Sequence, residues 1–218
     1  GTFHNEVMTV VFIHGLGETP TVWDYQVRNL PAGYSGITTN IPGLSAPGEF
    51  SLSSAADHII AELDQRGIKQ AHFCGLSLGA IIALQLATAY PERVSSLTLA
   101  AAQVRAPRKL MAVQRFIMRL LPEKLVAPPG LNKADMLHVL DTISDIDFTS
   151  DVARISVPTL IVCGAKDRVN LPASRKLAQQ IPGARLEIIN DAGHQCHIQQ
   201  PEKFAAVLHG FLTKNLGY

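Results

Sequence analysis

The chain has 218 residues, 47 % of them hydrophobic and 17 % charged, which is enough apolar material for one sizeable core and far from the composition of a disordered chain. Nineteen Lys+Arg against eighteen Asp+Glu leave a formal charge of +1, so no global field holds a polyanion and nucleic acid is not an expected partner. Cys74, Cys163 and Cys196 are too few, and odd in number, for a disulfide framework, and no apolar stretch approaches the roughly 20 residues of a membrane span. With no leader pattern at Gly1-Thr2-Phe3, a cytoplasmic location is expected.

In chain order, Val7 to Ile13 is a dense β-branched and apolar run ending in His14-Gly15-Leu16-Gly17, a buried strand followed by a turn. Ile37 to Ile41 reads as a second strand and Leu52 to Gln65 as an amphipathic helix. Ala71 to Gly75 is the third strand, followed at once by helical spacing through Leu78, Ile81, Ile82 and Leu86, which Pro91 ends. Val94 to Ala100, Thr159 to Cys163 and Arg185 to Ile189 complete six strands, with helices over Ser174 to Gln180 and Glu202 to Leu212. Strands alternating with helices imply an α/β fold whose sheet is mostly parallel and covered on both faces. One segment breaks the alternation: residues 103–150 carry helix spacing at Leu110, Val113, Phe116, Ile117, Leu120 and Leu121, and again from Met136 to Ile143 after a cap at Asn132. The expected organisation is a core of residues 1–102 and 151–218 with a small helical insertion at 103–150.

Gly75-Leu76-Ser77-Leu78-Gly79 lies between a strand and a helix. A serine on so sharp a turn takes strained dihedrals and needs small neighbours so that the strand and helix backbones can approach, leaving its hydroxyl free at the carboxyl edge of the sheet. That hydroxyl is a poor nucleophile until a base removes its proton. Gly164-Ala165-Lys166-Asp167 and Asp191-Ala192-Gly193-His194 each follow a strand directly, which brings Asp167 and His194 to the same edge as Ser77. An acyl-transfer intermediate also needs two backbone donors for its oxyanion, and the amides of Leu16 and Leu78 are placed to supply them, with the His14 ring bracing the loop. Gly15, Trp23, Met111 and Phe116 are candidate substrate contacts, Trp23 being equally suited to packing the first helix.

His14-Gly15-Leu16-Gly17, Gly75-Leu76-Ser77-Leu78-Gly79, Gly164-Ala165-Lys166-Asp167 and Ala192-Gly193-His194, in this order and spacing, resemble the α/β-hydrolase family over nearly the whole chain. Val157-Pro158-Thr159-Leu160 and Gln200-Pro201-Glu202-Lys203-Phe204 are similar to that family's pattern as well. The resemblance implies a lidded serine hydrolase. Two departures accompany it: the antiparallel hairpin that usually precedes the His-Gly strand is expected to be missing or vestigial, and Asn40-Ile41-Pro42-Gly43-Leu44-Ser45 lacks an acid and a second glycine found in many relatives.

The expected reaction is hydrolysis of a small carboxylic ester or thioester through an acyl-enzyme, with no cofactor. Carbon–carbon bond hydrolysis, acyl transfer and perhydrolysis share the same triad, and a non-enzymatic ligand-binding module is the reading from another class. Asp191 is the alternative carboxylate and His197 the alternative base. His194, Cys196 and His197 lack a fourth ligand at a recognisable spacing, so no metal site is expected; Cys74 and Cys163 read as small core fillers, and Cys196 as a structural thiol with an accessible, oxidisable one as the alternative.

Overall fold

The computed structural model describes residues 6–44, 49–105, 112, 119–120, 122 and 132–214. Six strands form one sheet: β1 (Met8–Ile13), β2 (Tyr34–Thr39), β3 (Ala71–Leu76), β4 (Val94–Ala100), β5 (Thr159–Gly164) and β6 (Arg185–Ile189). Their spatial order is β2-β1-β3-β4-β5-β6, and every pairing is parallel. All six carboxyl ends therefore lie along one edge. The chain runs from β1 outward to β2 and returns to β3 on the other side of β1, so the order reverses there and leaves a crevice between the carboxyl ends of β1 and β3.

Inner strands β3 and β5 are buried at every position, as their apolar runs require, while the edge strands β2 and β6 are mostly half-buried. Helices α2 (Leu52–Gln65), α3 (Leu78–Ala89) and α5 (Leu171–Gln180) contribute to the core on one face of the sheet, with α4 (Lys133–Ser144). On the opposite face, α7 (Pro201–Lys214) packs Phe204, Leu208, Phe211 and Leu212 against Phe12, Trp23 and Val162. Two short helices, α1 (Asp24–Arg28) and α6 (Cys196–Gln199), lie in the connections. Helix α2 starts at Ser51, whose hydroxyl accepts from the Ser54 amide at 3.0 Å, and turns Ala55, Ala56, Ile59, Ile60 and Leu63 inward. Helix α3 is buried from Leu78 through Leu84, which is why it is apolar all round rather than along one stripe.

The strands at Val94 to Ala100 and Arg185 to Ile189 and the helix at Leu52 to Gln65 lie where the sequence predicts them. Strand β2 does not, running from Tyr34 to Thr39 instead of Ile37 to Ile41. Hydrogen bonds from the Tyr34 amide to Pro31 O and from the Met8 amide to Gly33 O draw its start toward β1, and the turn at Pro42-Gly43, where Gly43 has φ 84°, ends pairing before Asn40. Helix α5 begins three residues early because Pro172 fits its first turn. Among the described residues no strand precedes β1.

Within residues 103–150, α4 carries the expected cap: the Asp135 amide donates to Asn132 Oδ1 at 2.8 Å and the Asn132 amide to Asp135 Oδ2 at 3.2 Å. Arg105 and Asp147 form an antiparallel bridge, and the Phe148 amide donates to Val104 O at 2.9 Å, so the two ends of the segment lie side by side. Val104, Val139 and Phe148 join the core. Of the helix predicted over Leu110 to Leu121, residues 112, 119 and 120 are described and helical; Met111, Phe116 and the break at Pro128-Pro129-Gly130 lie outside the described residues. No helix among the described residues is long and apolar enough to cross a membrane.

Candidate active site

Ser77 sits between β3 and α3 with φ 55° and ψ −110°, a conformation costly for any residue with a side chain. Tertiary contacts hold it there. The Ser77 amide donates to Ala100 O at 2.8 Å, and Ser77 O accepts from the Ile81 amide at 3.1 Å. A Cβ at Gly75 would overlap the Gly79 carbonyl, and one at Gly79 would overlap the Ile13 carbonyl, so both glycines are required for helix, turn and β1 to pack this closely. The half-buried serine stands at the carboxyl edge, beside the crevice.

The turns after β5 and β6 are laced together through their backbones. The Ala165 amide donates to Ile189 O at 2.9 Å and the Lys166 amide to Ala192 O at 2.8 Å, while a Cβ at Gly164 would overlap the carbonyls of Ala192 and Gly193. This juxtaposition places Asp167 against His194, whose Nδ1 donates to Asp167 Oδ2 at 3.0 Å. The acid is 7 % exposed and the His194 side chain 47 %, so the carboxylate is shielded while the imidazole reaches solvent. Asp191, the alternative carboxylate, is exposed and lies near Lys166 and Lys203 instead.

Two residues not singled out from the sequence complete this cluster. Asn170 Nδ2 donates to both oxygens of Asp167, at 3.1 and 2.9 Å, and its own Oδ1 accepts from Gln103 Nε2 at 2.7 Å. The bond from Gln103 sets which face of the Asn170 amide meets the carboxylate. Asn170 stands three residues after Asp167, just before α5, a spacing that fits a local turn; its link to Gln103 across 67 residues has no local signal.

At the end of β1, Gly15 O accepts from His14 Nδ1 at 2.8 Å and from the Glu18 amide at 3.2 Å. The peptide is trans, so the Leu16 N–H points away from both donors. Leu78 occupies the first position of α3, where an amide has no intrahelical acceptor. Among the described residues neither amide is hydrogen-bonded to another protein group. Gly15 is buried, and its amide donates to Glu18 Oε1 at 2.8 Å.

Glu18 was not foreseen either. Its Oε2 accepts from Gln195 Nε2 at 3.1 Å and lies 3.0 Å from His197 Nε2, off the line of an ideal hydrogen bond. Burial pushes the Glu18 carboxyl up, but the adjoining His197 imidazole, the Gly15 amide and Gln195 outweigh it and hold it below the ordinary value. His197, the alternative base, is fully buried beneath Trp23 at 4.5 Å between ring centroids. Trp23 has no exposed surface; it packs on Phe12 at 5.1 Å and Phe204 at 5.8 Å, so the structure brings it to the core and not to the crevice.

Cys74, Cys163 and Cys196 are free and buried, and burial pushes the thiols of Cys163 and Cys196 up to about 11 and about 12. No group of three or more His, Cys, Asp or Glu side chains among the described residues is arranged to hold a metal. A separate polar cleft of about 350 Å³ lies between β2 and α2, lined by Thr38, Asn40, His58 and Arg66, and holds none of the residues above.

Residues 10–207 match the pattern described as the alpha/beta hydrolase family. The chain is 28 % identical over 253 residues to a pimeloyl-[acyl-carrier protein] methyl ester esterase of Neisseria meningitidis serogroup B, covering 96 % of this chain and 95 % of that protein. It is also 28 % identical over 234 residues to 3-oxoadipate enol-lactonase 1 of Acinetobacter baylyi, covering 93 % and 88 %. The crystal structure of the enol-lactonase from Burkholderia xenovorans LB400 superposes with a TM-score of 0.84 at 20 % identity over 98 % of this chain and 94 % of that one, which shows a shared fold. Because the match runs from β1 into α7 and takes in the turns at Ser77, Asp167 and His194, this chain belongs to the alpha/beta hydrolase family and is an enzyme of that family.

Proposed function

We propose that the protein hydrolyses a small carboxylic ester or thioester by acyl transfer to Ser77. His194 takes the serine proton as the hydroxyl attacks the acyl carbon, and returns it to the leaving group as the acyl-enzyme forms. Asp167 holds the imidazole tautomer that leaves Nε2 free to accept, and the Leu16 and Leu78 amides receive the oxyanion. Water then repeats the sequence, with His194 as its base, and frees the acid. The observation that carries this reading is the 3.0 Å bond from His194 Nδ1 to a shielded Asp167, at the sheet edge where Ser77 is held in strained geometry. The names of the two relatives support an ester bond as the target, since a methyl ester and a lactone both present an acyl carbon bound to oxygen.

Residues 103–150 form the lid in this reading, anchored where Arg105 meets Asp147, and Met111, Phe116 and Gly15 are its proposed substrate contacts. Three free, buried thiols fit a reducing, cytoplasmic compartment. The test is covalent labelling by a fluorophosphonate followed by peptide mapping, with turnover of p-nitrophenyl and acyl-CoA esters of graded chain length. Label on Ser77 together with ester turnover is expected. Turnover that survives Ser77→Ala would overturn the mechanism, and labelling without turnover of any ester would leave a ligand-binding module.

A further inference from the structure

The Glu18 carboxylate joins two loops that bear opposite halves of the chemistry. It belongs to the loop after β1, while Gln195 and His197 belong to the segment after β6, the Gln195 contact spanning 177 residues of sequence. Its Oε1 takes the Gly15 amide and its Oε2 takes Gln195 Nε2 and faces His197 Nε2. The side chains of Glu18 and His197 are 4 % and 0 % exposed. Beneath them, Trp23 presses on Phe12 of β1 and Phe204 of α7, so the contact rests on the packed core.

A buried carboxylate is costly to desolvate, and an apolar pair of similar volume would stabilise the fold as well or better. What an apolar pair could not do is orient. Glu18 holds the His14–Gly15 peptide through the Gly15 amide, while His14 and the Glu18 backbone amide hold the Gly15–Leu16 peptide through its carbonyl, so Gly15 is fixed on both sides and the Leu16 N–H is oriented with it. The other oxygen of the same carboxylate holds the residue that follows His194.

We propose that Glu18 is a positioning residue that fixes the distance and angle between the Leu16 amide and His194, by clamping the oxyanion loop to the base loop. The inference rests on the proposed roles of Leu16, Ser77 and His194. Its consequence falls on the transition state, because the bonds to Glu18 order the groups that meet the developing charge and leave the apolar contacts of the acyl group untouched.

The test measures kcat and KM on p-nitrophenyl acetate, with kcat expressed per fluorophosphonate-titrated site so that loss of folded enzyme does not enter. Glu18→Ala is expected to lower kcat per titrated site at least fivefold with KM within about twofold; a smaller fall, even with a lower Tm, makes Glu18 a structural residue only and overturns the proposal. Should Glu18→Ala fail to fold, Glu18→Gln decides. It preserves shape and the acceptor for Gly15 but turns an NH2 group toward Gln195, so a loss in kcat is expected. Gln195→Glu in the same chain supplies a carboxylate to accept from that group. The double variant is expected to regain at least half of the lost kcat, although Gln195→Glu alone opposes two carboxylates and loses activity. Additive losses would overturn the proposal. Ser77→Ala run in parallel separates the failures: turnover in that variant sinks the triad itself, whereas an inert Ser77→Ala with unaffected Glu18 variants sinks the clamp alone.

Discussion

In the proposed site the backbone positions Ser77, whereas at Asp167 and His194 side chains share the task. The serine turn is fixed by close approach of Gly75 to Gly79 and of Gly79 to β1, and the Ser77 hydroxyl itself forms no part of what holds it. The acid and base turns are joined by backbone hydrogen bonds as well, but the reactive geometry there depends on the Gln103, Asn170, Asp167 and His194 side chains acting in series. A group held by its backbone can lose its functional atom without disturbing its surroundings. A group held by a polar network cannot.

That contrast sets the largest expected effect. Ser77→Ala keeps the strained turn and its packing, so kcat should fall by about 10⁶-fold, the scale seen when a triad nucleophile is removed, while Tm stays within about 2 °C of the parent. A large drop in Tm would show that the hydroxyl supports the turn after all. Asp167→Asn probes the other region. An amide there can no longer accept the His194 Nδ1 proton and also receive both bonds from Asn170, so kcat should fall by about 10⁴-fold through the wrong imidazole tautomer. Stability should fall too, because a buried amide is left facing another amide donor. Loss of activity with unchanged stability would erase the difference between the two regions.

The same contrast explains what could be read from the chain. The alternation of strands and helices and the turns at Ser77, Asp167 and His194 are local patterns, in which a glycine beside each turn marks close backbone approach, whereas the spatial order of the strands is not. Strand β2 was misplaced because its limits are set by turn hydrogen bonds at Pro31 and Gly33 and not by its own apolar content. Glu18 and Asn170 carried no recognisable signal, since their partners Gln195 and Gln103 lie far away in sequence and any polar residue on a loop is more often solvated. Trp23 was ambiguous for a related reason: a large aromatic after the first strand fits a pocket wall as well as a core, and only packing against Phe12, His197 and Phe204 decides between them.

Asn170→Ala tests the network at its middle link and should have a smaller effect. It removes both side-chain bonds to Asp167 and leaves the residue-170 backbone amide, at 3.3 Å from Oδ1, and the bond to His194 in place, so the carboxylate is held less firmly and kcat should fall by about tenfold, the scale of one hydrogen bond to a charged group. Gln103→Ala, one link further out, should cost about threefold. If the two variants lose equally, Gln103 alone determines the Asn170 orientation; if Gln103→Ala loses more, the order of links is wrong. Pre-steady-state acylation rates with p-nitrophenyl acetate measure both.

The last expected effect is on stability and not on turnover, and it lies on the serine side of the molecule, where β3 carries a polar group of its own. His72 is 7 % exposed, with Nδ1 at 2.6 Å from Ser96 Oγ and its ring at 5.5 Å from Tyr34, and burial pushes its pKa down to about 4. The folded chain therefore keeps this imidazole neutral while the unfolded chain protonates it near 6.5. In that window the unfolded state binds more protons, so stability is complete above about pH 6.5 and is lost as pH falls toward 4. Between pH 7 and pH 5 the loss from this group comes to about 2 kcal/mol. Urea unfolding at both pH values measures it, with His72→Gln as the reference because the amide can still bond to Ser96 and does not titrate. The parent should lose about 2 kcal/mol more than the variant over that interval, with the carboxylates contributing equally to both. An equal loss in parent and variant would mean that acid weakens the fold through the carboxylates of the acid and base side, and that β3 holds Ser77 without any dependence on pH.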